Sequence, residues 1–246
     1  MNLKVDIFIP CLVDQYYPDV AHNMIKVLER LGCDVQYNVE QTCCGRIAFE
    51  DGYWDHSKEV GEKLIMELQH ERYIVCPGAA CTATVKCQYP ALFHNSSLHN
   101  QYKAVQKNMF ELSDFLVNVM NASDIGARYN AKAVMFDACK AVHELKIKHA
   151  PRLLLSRVRE LTLIETPSTY ACCGMSGGLD RNNEKLSVDI GSKIIQDFID
   201  AGADTIISTD MDCLMHFDSI IKKNNLPIKV ADRKSTRLNS SHANIS

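Results

Sequence analysis

The chain has 246 residues, 46% of them hydrophobic and 23% charged, with a formal net charge of -3: the bulk of one large globular domain or two fused halves. That length buries a core without disulfide staples, and the slight acidity with no Lys/Arg cluster excludes a nucleic-acid-binding signature. No apolar run approaches the length of a membrane span. MNLKVDIFIP lacks the basic and long apolar regions of a signal peptide, so the expectation is a cytoplasmic chain without a membrane span.

Residues 4–10 are apolar and β-branched and predict a first buried strand, with Cys11 directly after it. Pro18 opens a helix whose Val20, Met24, Val27, Leu28 and Leu31 share a face, and Gly32 stops it. Residues 34–39 predict a second strand, followed by Cys43-Cys44-Gly45. A second helix covers residues 58–68, with Val60, Leu64, Ile65 and Leu68 apolar. Residues 73–76 predict a third strand, leading into the loop Pro77-Gly78-Ala79-Ala80-Cys81. Phe110, Leu112, Phe115, Leu116 and Val119 then suggest a linking helix over residues 107–120.

The same order returns. Residues 133–136 predict a strand with Cys139 just beyond it, 153–158 a helix, and 161–164 a strand before Cys172-Cys173-Gly174. A strong helix covers residues 184–201, with Ile190, Ile194, Ile195, Phe198 and Ile199 at helical spacing and Gly202 at its end. Residues 205–208 predict the last strand, before Asp210-Met211-Asp212-Cys213. The expected organisation is a first repeat over 1–95, a linking helical segment over 96–130, a second repeat over 131–232, and a non-native tail over 233–246. That tail, RKSTRLNSSHANIS, is polar and departs from the pattern. Strands alternating with helices predict an α/β fold of two pseudo-symmetric repeats, each with parallel β-strands flanked by helices.

The cysteines carry the chemistry. Cys11 lies 32 residues before Cys43, and Cys139 lies 33 before Cys172. Cys81 follows Cys44 by 37 residues, and Cys213 follows Cys173 by 40. Eight of eleven cysteines thus form one four-thiol arrangement occurring twice. In a reducing compartment such thiols point to soft-metal ligation or redox chemistry rather than disulfides. All eight follow predicted strand ends, and in a parallel sheet those ends converge on one edge.

Iron–sulfur clusters, zinc and thiol–disulfide chemistry are the competing readings. Structural zinc usually draws on C-x₂₋₄-C pairs, and no C-x₂-C exists here, whereas adjacent cysteines splay their side chains toward a multi-iron body. Gly45 and Gly174 relieve crowding beside each pair. Cys33, Cys76 and Cys87 lie outside the repeat and read as structural. His216, and less so His143, are candidates to tune a site from behind its ligands. No flavin, nicotinamide or phosphate-loop signature is complete, although Gly177-Gly178 form a fragment of one.

The segments FIPCLVDQYYP, QTCCGRIAFEDGY, PGAAC, ACCGMSGG and DCLMHF resemble the cysteine-rich CCG-domain family of heterodisulfide reductase and glycolate oxidase iron–sulfur subunits. Within it, the resemblance is closest to the two-repeat subunits of bacterial lactate-utilisation complexes and covers the chain to about residue 232. It implies an iron–sulfur electron-transfer subunit, with one 4Fe-4S cluster per repeat, rather than a catalytic one. Cys11, Cys43, Cys44 and Cys81 would bind the first cluster; Cys139, Cys172, Cys173 and Cys213 the second. The implied partners are a second iron–sulfur subunit and a third subunit, which together oxidise L-lactate to pyruvate. A zinc-stabilised interaction module, or a thiol–disulfide oxidoreductase akin to heterodisulfide reductase, is the alternative. The relatives with five thiols close each motif with C-x₂-C, but here Gly78 and Asp210 hold the earlier position. Asp210 is therefore a candidate oxygen ligand, and Lys140 a charge beside Cys139.

Overall fold

The computed structural model describes residues 3–231, so the expected tail over 233–246 lies outside them. The described chain forms two compact units: residues up to Phe115 with Lys140–Lys146, and Leu116–Cys139 with the residues from Ile147 onward.

In the first unit, β1 (Lys4–Ile7) is followed by α1 (Cys11–Tyr16), α2 (Pro18–Arg30), β2 (Asp34–Tyr37), α3 (Arg46–Glu50) and α4 (Trp54–Leu68). Then come β3 (Tyr73–Cys76), α5 (Ala79–Ala83), a π-helical turn at Thr84–Gln88, α6 (Tyr89–Phe93), α7 (His99–Asn108), β4 (Met109–Glu111) and α8 (Leu112–Asp114). The four strands pair in parallel in the order β2-β1-β3-β4. Val5, Ile7, Ile74 and Val75 are buried, as strands covered on both faces require. Phe8, Leu64, Ile65, Tyr89, Phe93 and Tyr102 fill the core. Arg72 locks the strand starts, donating from Nε to Asp6 at 2.5 Å and from Nη1 to Asp34 at 3.2 Å.

The segment expected as a linking helix over residues 107–120 holds a strand near its start, Met109–Glu111, and is helical from Leu112 through Val119, the last five residues as a π-helical turn. Met109 and Glu111 are buried, and β4 runs parallel to β3 with Cys76 opposite Glu111. The buried face of this strand pairs Met109 with a charged residue, Glu111, so no apolar alternation announces it, and pairing with the edge of β3 selects the strand. Glu111 caps α8: its carboxylate accepts from the amides of Ser113 at 2.8 Å and Asp114 at 3.2 Å, and from the Ser113 hydroxyl. Burial outweighs these hydrogen bonds and pushes the Glu111 carboxyl up to about 7.

In the second unit, β5 (Arg128–Phe136) leads to Cys139, and α9 (His149–Ser156), β6 (Arg159–Ile164), α10 (Leu179–Asn182) and α11 (Glu184–Asp200) follow. β7 (Thr205–Ser208), α12 (Met211–Asn224) and β8 (Lys229–Val230) complete it. The order β6-β5-β7-β8, again all parallel, repeats the first sheet's. Phe136, Phe198 and Phe217 are fully buried and meet edge to face, with Phe136 and Phe217 ring centroids 4.9 Å apart. Arg152 holds Asp137 through two bonds of 2.7 and 2.9 Å, and Glu165 through bonds of 2.6 and 3.0 Å. No described helix is long and apolar enough to cross a membrane.

Candidate functional site

The topology explains how cysteines so distant in sequence meet. In each sheet the first strand of the unit, β1 or β5, lies inside, flanked by β2 and β3 or by β6 and β7. The first cysteine of each set follows that central strand, and the others follow the strands on either side. All arrive at the carboxyl edge, where loops of a parallel sheet gather.

In the first unit the turn after β1 ends at Pro10, and α1 begins at Cys11. The peptide N–H of Ile9 donates to Gln41 Oε1 at 2.7 Å, tying this turn to the segment that carries Cys43 and Cys44. Cys11 Sγ lies 3.8 Å from Cys43 Sγ. Cys44 hydrogen-bonds both Cys43 and Cys81, and Cys81 also acts on Cys11, so all four assigned thiols interact. Gly45 turns the chain into α3 at φ +77°, and a Cβ there would stand 2.9 Å from the Ser57 carbonyl oxygen. Ser57 Oγ donates back to the Gly45 carbonyl at 3.0 Å, closing α4 onto the cysteine pair.

The second unit repeats this with different atoms. The Asp137 amide donates to the Thr169 carbonyl at 2.9 Å, joining the turn before Cys139 to the segment before Cys172. Cys173 Sγ lies 3.1 Å from Cys213 Sγ, Cys172 hydrogen-bonds Cys173, and Cys139 acts on Cys213. Gly174, at φ +97°, has room for no Cβ, which would meet the Ser187 carbonyl oxygen at 2.6 Å.

The sulfurs share protons unevenly. Cys43 is held far below an ordinary thiol by hydrogen bonds from Cys11 and then Cys44. Burial opposes them, and the Gly45 amide and the Arg46 charge assist. Cys11 rises because it donates to Cys43 and is partly buried; Cys44 rises because it bonds Cys43 and Cys81. The bond from Cys172 pulls Cys173 down, but its own bond to Cys213 and burial outweigh it. The bond from Cys173 likewise lowers Cys213, while burial and then the charges of Asp210, Cys139 and Asp212 raise it overall. In both units a glycine amide donates to the first sulfur of the vicinal pair at 3.4 Å, from Gly45 to Cys43 and from Gly174 to Cys172.

The thiols meet as neighbours rather than as a closed cage. Among the described residues, no three His, Cys, Asp or Glu side chains are disposed to hold a single metal ion. The donor set itself, four soft sulfurs per unit with amides directed at them, fits a thiolate-ligated cluster.

Residues flagged at the edges of the pattern find other work. Asp210 caps α12, its carboxylate accepting from the Asp212 amide at 3.0 Å, which occupies one oxygen of the candidate ligand. His216 Nε2 stands 3.2 Å from the Ser187 carbonyl, on α11, so it braces the serine that packs on Gly174. Lys140 pairs with Glu50 at 3.2 Å and Glu144 at 2.8 Å. Cys81 and Cys213, expected in loops, are the third residues of α5 and α12.

Two more residues stand at the first site, one without a sequence signal and one expected to be structural. Tyr89 is fully buried, donates its hydroxyl to the Cys44 carbonyl at 3.1 Å, and interacts with Cys44, Cys43 and Cys81. Cys76, at the end of β3, is fully buried, with its sulfur 3.4 Å from the Gly78 amide and close enough to Cys81 to feel its charge.

A family model described as a cysteine-rich domain, CCG, matches residues 5–86 and again 133–218. The chain is 32% identical to lactate utilization protein A of Geobacillus sp. (strain WCH70) over 229 residues, covering 93% of this chain and 96% of that one. It is 33% identical to the protein of that name from Anoxybacillus flavithermus, again over 93% of this chain and 96% of the relative. With the Bacillus subtilis (strain 168) protein of the same name the identity is 31%, with the same coverage.

Proposed function

The chain belongs to the cysteine-rich CCG-domain family, and from that premise we propose that it is an iron–sulfur electron-transfer subunit in lactate utilisation. Cys11, Cys43, Cys44 and Cys81 hold one 4Fe-4S cluster, and Cys139, Cys172, Cys173 and Cys213 hold a second. The cluster supplies one-electron chemistry when bound. The protein's own part is to gather four sulfurs at each sheet edge, aim one glycine amide at each vicinal pair, and exclude water behind Cys44 and Cys173, both buried. The chain passes electrons and leaves the oxidation of L-lactate to pyruvate to the complex, together with a second iron–sulfur subunit and a third subunit, in the cytoplasm.

The observation that carries this reading is the repeated meeting of distant thiols: Cys11 with Cys43 at 3.8 Å in one unit, Cys173 with Cys213 at 3.1 Å in the other. A zinc module would need none of the vicinal geometry. A thiol–disulfide enzyme would place a reactive pair in the open, whereas Cys44 and Cys173 are the buried members of their pairs.

The test is anaerobic purification followed by iron, acid-labile sulfide and zinc analysis with EPR. The expected result is brown protein with about eight iron atoms per chain, and the Cys44→Ser and Cys173→Ser variants each lose half. Colourless protein that holds zinc and no sulfide after anaerobic reconstitution would end the proposal. Affinity capture from cells grown on lactate should recover the two other subunits, and growth on lactate should fail without the chain.

A further inference from the structure

The two sites have sulfurs, glycines and amides alike, yet the side-chain charges that act on Cys43 and on Cys213 differ in sign. Directly after Gly45 comes Arg46, the first residue of α3; the matching residue after Gly174 is Met175. The Arg46 side chain is largely buried, and its charge acts on Cys43. Before Cys81 the chain reads Gly78-Ala79-Ala80, whereas before Cys213 it reads Asp210-Met211-Asp212. Asp210 is buried at the N-cap of α12, the helix whose first turn carries Cys213, and both aspartates act on that sulfur.

Resting on the cluster reading above, we propose that Arg46 and the Asp210/Asp212 pair set the two sites apart in potential, making the first the easier to reduce. Reduction adds one negative charge to a cluster. A neighbouring cation stabilises the product and neighbouring carboxylates oppose it. A chain that has taken one electron from dithionite therefore holds it at the first site, and a second electron enters the second site at lower potential.

The charges linked to Arg46 leave that order in place. Glu50 faces Arg46 at 3.4 Å and is shared with Lys140 at 3.2 Å, and with Glu144 the four side chains balance, Arg46 being the member whose charge acts on Cys43. Glu144 takes the far side of Lys140 at 2.8 Å and is the more exposed carboxylate of the two. Lys140 follows Cys139 in sequence, but its ammonium is committed to those two carboxylates. The glycine amides reach sulfur at 3.4 Å in both units and cancel from the comparison. Cys172 is exposed where Cys43 is half-buried, which favours reduction of the second site. One cation against two close carboxylates outweighs the solvation of a single sulfur.

The experiment is an EPR-monitored redox titration of the anaerobically reconstituted full chain, with each signal assigned by the Cys44→Ser and Cys173→Ser variants. The first site is expected to show the higher midpoint. Arg46→Gln should shift only that midpoint downward, and Arg46→Lys should restore it. Asp210→Asn retains a capping side chain and should shift only the second midpoint upward. Equal or inverted midpoints, or variants that move neither signal, overturn the inference while leaving the cluster reading standing. A chain that binds no iron and sulfide overturns both.

Discussion

The first unit and the second build the same edge with different chemistry, and the contrast separates what the fold demands from what each site adds. Both place a glycine of positive φ after the vicinal cysteines, press it on a serine, Ser57 of α4 or Ser187 of α11, and join the first cysteine's turn to the pair's segment by hydrogen bonding from the amide two residues before that cysteine. The individual parts differ. Gln41 makes the joining bond in the first unit and a backbone carbonyl makes it in the second. Tyr89 reaches the Cys44 carbonyl, while His216 braces Ser187. Features present twice position sulfur; features present once are where the two sites diverge.

The largest expected effect tests how each unit anchors its central strand. Asp137 is almost wholly buried two residues before Cys139, and Arg152 answers it with two hydrogen bonds. Arg152→Ala strands that carboxylate and should destabilise the second unit by about 3–5 kcal/mol, with loss of iron at the second site. Arg72→Ala should cost the first unit less, because the Asp6 side chain keeps more contact with water. Denaturant unfolding of both variants, followed unit by unit, checks the order; a smaller loss for Arg152→Ala would contradict it.

Next come the two glycines. A left-handed alanine costs about 1–2 kcal/mol, and crowding a packed site adds about 1–3 kcal/mol. Gly174→Ala should cost more than Gly45→Ala, since its Cβ meets backbone at 2.6 Å rather than 2.9 Å. Thermal unfolding that ranked Gly45→Ala as the worse substitution would show that the serine contact is not what requires glycine.

A third contrast is electrostatic. The Glu111 carboxyl sits at about 7 in the folded chain against an ordinary 4.5. Between those values the folded state keeps a proton that the unfolded state has released, so rising pH favours unfolding. The stabilisation is complete below pH 4.5 and gone above about 7. The full swing is about 3 kcal/mol. Glu111→Gln should flatten this slope, read as melting temperature against pH. An unchanged slope would assign the dependence to another group.

Most of the strands were legible because their signals are local. Residues 73–76 and 205–208 are bounded by turn residues and coincide with β3 and β7. The eight thiols stand out in the sequence because the duplication states their spacing twice. β4 was hidden because its three residues bury a charged Glu111 beside Met109 and so show no apolar alternation, and only the open edge of β3 selects the strand. Tyr89 was hidden for another reason: a buried tyrosine reads as core, and its bond to the Cys44 carbonyl depends on how α6 meets the loop 45 residues earlier. The placement of Cys81 and Cys213 in first helical turns depends on capping, which Gly78 and Asp210 achieve by different means.

The smallest expected effect addresses the joining bond. Ile9 is buried, and its amide is answered at 2.7 Å by the side chain of Gln41, a residue that substitution can remove. The corresponding bond in the second unit runs to a main-chain oxygen and survives any substitution at Thr169 that keeps the fold. Gln41→Ala should therefore leave one buried donor unanswered and cost about 1–2 kcal/mol. Gln41→Glu keeps the acceptor for Ile9 but loses the amide that donates to the Asn38 carbonyl at 3.1 Å and the Ile7 carbonyl at 3.4 Å, so it should restore only part of the loss. Because the bond ties the turn before Cys11 to the segment before Cys43, the alanine variant should also lower iron loading at the first site alone. Equal loss of iron from both sites would show that the joining bond acts on the whole chain rather than on the sulfurs it brings together.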